Sequence, residues 1–168
     1  MPRSLTKTAF IAVFAAVTLG GASIVHADVA EKIHRAFRGR ILITDRALPA
    51  PAGGEGDVIK TYSKLARTEL AHSVEDGVAT WAFHFMAIMS QRPGVTQVSL
   101  DFYQADQGQQ YVASKRLAGI DPKLKLLQSR VLLSEDDGLK RGGNYIVKLT
   151  ADVRGKEVVL AQSNLKTN

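Results

Sequence analysis

No cysteine occurs among the 168 residues. That absence excludes disulfides, thiol catalysis and the cysteine of a lipoprotein anchor. Histidine is scarce: beyond residue 27 only His34, His72 and His84 remain, 38 and 12 positions apart. A zinc site wants three or four clustered ligands, so no metal is expected, and His84 on an apolar strand reads as a core residue. The glycines of "GGEG" are followed by no Lys-Ser or Lys-Thr, which rules out a phosphate-cradling loop. The serines lack a nucleophile elbow. Acids stand together only as Glu75-Asp76 and Glu135-Asp136-Asp137. Both groups precede a glycine, as turn acids do, and neither has the alternate-position spacing of a calcium loop. These absences point away from an enzyme and from any cofactor.

Acids are also missing from the first 27 residues, where "MPRSLTKT" carries Arg3 and Lys7 and the apolar run "AFIAVFAAVTLGGASIV" leads to "VHA". A basic start, a short apolar stretch and small residues before Asp28 describe a Sec-type signal peptide cleaved after Ala27. The run is short for a membrane span and is broken by Thr18, Gly20, Gly21 and Ser23. The expectation is a periplasmic or secreted protein, with residues 28–168 as one domain. Such a length buries roughly two-thirds of the unfolded surface, enough to be stable without cross-links. The formal charge of +6 falls to +4 without Arg3 and Lys7, too little to argue for nucleic acid. Two segments concentrate the basic residues: Lys32, Arg35, Arg38 and Arg40 in one, Lys115, Arg116, Lys123 and Lys125 in the other. Beside the reading as solvated surface, these eight are candidate contacts for an anionic envelope component.

Val29, Ile33 and Phe37 at i, i+4, i+8 place a short helix in an N-terminal arm, residues 28–37. "RGRILITD" reads as a strand, and "RALPAPAGGEG" (46–56) as a flexible connector. From Asp57, a helix cap, an amphipathic helix is expected to about residue 71, with Ile59, Tyr62, Leu65, Ala66 and Leu70 on one face. Strands follow over 78–90, about 98–102, 111–117, 124–134 and then a hairpin through Arg154-Gly155, read as a type I turn with a G1 bulge. Lys115, Lys125, Arg130 and Lys148 interrupt the strand faces, which argues against a transmembrane barrel. Phe102, Tyr103 and Tyr111 suggest a carbohydrate or base platform, but only Tyr103 falls on the expected outer face.

"LKRGGNYIVKLTADV" places Leu139 six residues before Tyr145, with Gly142 and Gly143 between and Val147, Leu149 and Ala151 alternating after. This resembles the E–F corner of fibronectin type III and other immunoglobulin-like domains, whose tyrosine fills the end of the core while its hydroxyl bonds back to the loop. Trp81 resembles the core tryptophan of the same class. The resemblance implies a mainly β fold: a seven-stranded antiparallel sandwich with the helix inserted after the first strand. Such folds host binding and structural roles more often than catalysis.

"TWAFHFMAIMS" (80–90) then poses a question. Trp81, Phe83, Phe85, Ala87 and Met89 make one apolar face, while Ala82, His84, Met86 and Ile88 make a second where a sandwich strand should meet water. The candidate covers are the amphipathic helix, a second copy of the chain in a homodimer, or an apolar ligand. The functional expectation is a non-catalytic binding or structural module of the bacterial envelope, with an unknown protein or anionic envelope component as partner. The alternative is a carrier or sensor of a small apolar ligand held between the helix and the Trp81–Met89 strand.

Overall fold

The computed structural model describes residues 25–49 and 55–168. The signal-peptide expectation lies outside these residues except for its last three positions, as does the middle of the 46–56 connector. Among the described residues two α-helices, α1 (Val25–Phe37) and α2 (Glu55–Leu65), accompany nine strands: β1 (Arg40–Thr44), β2 (Glu69–Leu70), β3 (Ser73–Glu75), β4 (Val78–Ile88), β5 (Gln97–Gln104), β6 (Gln110–Ala118), β7 (Leu126–Ser134), β8 (Asn144–Val153) and β9 (Lys156–Thr167). The seven segments read as strands from their alternation are strands. The two additional ones, β2 and β3, have two and three residues, too few for a period of two to show.

All nine join one curled, mixed sheet in the order β3-β4-β1-β9-β8-β5-β6, with β7 on β4 and β2 on β9. The expected seven-stranded, wholly antiparallel arrangement is corrected in both count and direction. β1 and β2 each lie parallel to β9. Far apart in sequence, these partners have no tight hairpin to force the antiparallel direction. The curl follows from the packing. Phe83 on β4, Val131 on β7, Phe102 on β5 and Ala113 on β6 all belong to one buried cluster, so strands from both extremes of the sheet face one another across the core. The two extremes also meet at one end, where Lys115 Nζ of β6 lies 2.9 Å from Asp137 Oδ1, just past β7.

The first face of β4 behaves as its residues dictate: Trp81, Phe83, Phe85, Ala87 and Met89 sit in the main core at 2 % exposure or less. Tyr145 forms the anticipated corner. Its hydroxyl accepts the Lys140 N–H at 2.7 Å, Leu139 is buried beside it, and its ring lies so close over Gly143 that a Cβ there would stand 2.5 Å from the hydroxyl oxygen.

Three local expectations need revision. Helix α2 begins at Glu55, so Asp57 lies in its first turn rather than at its cap, and it ends at Leu65 rather than near 71. The chain leaves the helix because the Arg67 N–H is taken by the Ile43 carbonyl at 2.7 Å. That bond carries Leu70 into β2 and the main core; its helical phase with Tyr62 was coincidental. The Arg154-Gly155 turn has φ of 56° and 76°, and Val153 pairs directly with Lys156. Positive φ at both central residues makes it a type I′ turn, whose twist suits a two-residue hairpin.

Candidate functional site

The second face of β4 is divided. Met86 and Ile88, with Leu42 of β1, are buried in a second cluster under Ile33 and Phe37 of α1, Val58 and Tyr62 of α2, and Leu48. Ile59, Leu65 and Ala66 pack at its edge. The cover is thus built from both helices; α1, read as an arm, contributes two of its anchors. Beyond the helices the face is open: Ala82 is exposed and pairs with exposed Leu132, while half-buried His84 sits between Thr44 and Arg130 in register. The four candidate apolar residues therefore lie in two different surroundings, Met86 and Ile88 under the helices and Ala82 and His84 beyond them.

Where α1 and α2 part above β4, a groove of about 430 Å³ remains, lined by Ala30, Ile33, Leu48, Pro49, Tyr62, Met86, Leu126 and Gln128. The volume lies within the roughly 300–1,000 Å³ common for small-ligand pockets. Its wall is apolar apart from Gln128 and the Tyr62 hydroxyl. That hydroxyl donates to the Pro49 carbonyl at 2.8 Å, and burial pushes its pKa up, so it remains a neutral donor. The bond also ties α2 to the chain after β1, fixing one wall.

A second hollow of about 370 Å³ continues from the first, sharing Ala30 and Leu126 and adding Glu31, His34, Arg92, Lys123, Leu124 and Lys125. The main chain at the end of β4 holds it together. The Met89 N–H donates to the Lys125 carbonyl at 2.8 Å, and the Met89 carbonyl lies 3.0 Å from His34 Nε2, which must carry the donated hydrogen. Arg38 Nε donates to the Ser90 carbonyl at 3.3 Å. Of the two basic segments, the second reaches this end of the groove through Lys123 and Lys125, joined by Arg92; Arg38 of the first is tied to the chain beside it and does not line it.

The remaining sequence candidates are scattered. Arg35 pairs with Glu31 one turn earlier at 3.4 Å. Lys115 pairs with Asp137, Arg116 lies exposed on β6, and Arg40 is exposed at the start of β1. Lys32, also on α1, is half-buried and does not line the hollow. Arg92 escaped the sequence reading because it stands alone in "QRPG"; only the fold shows that this turn abuts α1.

The acidic groups act as conformational parts. Asp76 and Gly77 both take positive φ, 51° and 83°, in the β3–β4 hairpin. Glu135 Oε2 accepts the Ala79 N–H at 3.1 Å, and Arg141 adds an ion pair at 3.1 Å; in that order these hold its pKa below the ordinary value. Burial pushes Asp137 up, but the hydrogen bonds from Lys115 and the Ser134 N–H outweigh it and leave the pKa lowered. Among the described residues no group of three or more His, Asp or Glu is placed to hold a metal.

On the opposite outer face, a bulge between Phe102 and Tyr103 sets Tyr103 opposite Tyr111, their rings edge-to-face at 5.8 Å. Tyr111 thus joins Tyr103 on that face, contrary to the alternation-based expectation, because one extra residue reverses the phase. Lys148 Nζ covers the Tyr103 ring at 4.5 Å and donates to Gln109, so this pair is partly occupied by its own neighbours. No family model, curated protein or solved structure matches this chain.

Proposed function

We propose that the chain is an exported, non-catalytic binding module of the bacterial cell envelope, built on an immunoglobulin-like β-framework, that carries or senses a small apolar ligand between its helices and β4. The observation that carries this reading is the incompletely covered second face of β4. Met86, Ile33, Leu48 and Leu126 surround a ligand-sized hollow, and filling it would remove their remaining apolar surface from water. Export is supported by the basic, then apolar, then small-residue start of the chain. The immunoglobulin-like framework is supported by the Tyr145 corner and by Trp81 in the core.

Native mass spectrometry of the protein purified without detergent tests the reading. A small molecule should travel with the folded chain, and protein stripped of it should take up an apolar dye. A bare chain that also ignores the dye would contradict it.

A further inference from the structure

We infer that the groove takes an amphiphile with a single alkyl chain and an anionic head, the chain lying between α1 and β4 and the head meeting Arg92, Lys123 and Lys125. This inference rests on the reading of the groove as a ligand site and adds the ligand's chemistry. The apolar and basic hollows share Ala30 and Leu126, so a molecule longer than either can pass from one to the other. Polarity changes along that path: buried Ile33 and Met86 lie at the inner end and the three basic side chains at the outer.

Those three cations are exposed and make no ion pair among the described residues. The one acid that lines this hollow, Glu31, is engaged by Arg35, while Asp121, whose Oδ1 accepts the Lys123 N–H at 2.8 Å, lines neither hollow. A cation at the head position would add to an unneutralised positive rim, and a neutral head would leave it as it is. An anion offsets it, and an arginine offers a carboxylate or phosphate two parallel donors. Leu124, 55 % exposed between the two lysines, gives the first methylenes of the chain an apolar contact just inside the head.

The test is calorimetric titration of the chain, in the form that expressing cells accumulate, with four C12 probes: dodecyl phosphate, dodecanoate, dodecyl maltoside and dodecyltrimethylammonium. The anionic probes should bind one per chain and more tightly than the other two. The tighter anionic probe assigns the head, phosphate or carboxylate. Replacing the basic rim (R92Q/K123Q/K125Q) should weaken anionic binding by roughly tenfold, since each exposed charge contact is worth only a fraction of a kcal/mol. Added salt should weaken it in the same direction. Ala30→Phe, which narrows the junction, should weaken every alkyl probe alike.

Equal affinity for the cationic or neutral probe, or unchanged anionic binding in the triple variant, would overturn the anionic head while leaving the apolar groove intact. No binding of any probe, or indifference to Ala30→Phe, would overturn the groove itself.

Discussion

Tyr145 shows how far single residues can be read. Its hydroxyl takes the N–H of Lys140, five residues back, so the whole device lies within one local stretch and its spacing is visible in sequence. Tyr145→Phe removes one buried bond and should lower stability by about 1 kcal/mol, read as a lower urea midpoint at unchanged slope. Gly143→Ala would drive a methyl group into the ring above it, an overpacking worth roughly 1–3 kcal/mol. Trp81, wholly buried in the main core, should cost about 3–5 kcal/mol on truncation to Ala. Its indole N–H has no partner among the described residues, so this ring contributes through packing rather than hydrogen bonding. Asp101 was not legible. It alternates with buried Leu100 and Phe102 and so falls on the outer face of β5, yet it is only 5 % exposed. Each carboxylate oxygen receives a hydroxyl at 2.6 Å, from Ser114 and Thr150. Both donors are distant in sequence, and nothing local marks them.

At the scale of elements, periodicity found every strand long enough to display it and stopped where other forces intervened. Helix α2 ends early because β1 offers Arg67 a backbone acceptor, a tertiary competitor that no helical pattern reveals. The doubly apolar β4 was the most informative stretch: two faces rich in large apolar side chains demand two covers. Its sequence could not say that α1 supplies as much of the second cover as α2. Ile33 is the test of that layer. At 2 % exposure in the cluster with Met86 and Ile88, Ile33→Ala should cost about 2–4 kcal/mol in a chemical denaturation series. A cost under about 0.5 kcal/mol, the range of surface substitutions, would mean that α1 does not seal the sheet. The groove was half legible. Tyr62, Met86 and the Lys123–Lys125 segment were singled out, whereas Arg92 and Leu48 enter it from loops that have no periodicity, and Leu126 opens a strand whose pairing beside β4 is not written in its own sequence.

Across the whole molecule, the curl of the sheet is fastened where β6 approaches the turn after β7, by Lys115 with Asp137 and by Glu135 with the Ala79 N–H. Both carboxyls have lowered pKa values in the folded protein. Their contribution to stability is therefore complete above the ordinary carboxylate range and is lost as pH falls through the lowered folded values. Urea midpoints should hold steady from neutral pH and drop only in that acid window, with Asp137→Asn shrinking the drop.

The curl leaves one face of β4 to the core and the other to the helices, and the ligand account depends on that second face. Intermolecular NOEs between the alkyl protons of dodecyl phosphate and the protein's methionine methyl groups test it most directly. Met86 lines the groove, whereas Met89 is fully buried in the main core. The account predicts contacts from the alkyl chain to Met86 and none to Met89. A silent Met86, or a chain found instead against the Tyr103 and Tyr111 rings, would contradict it.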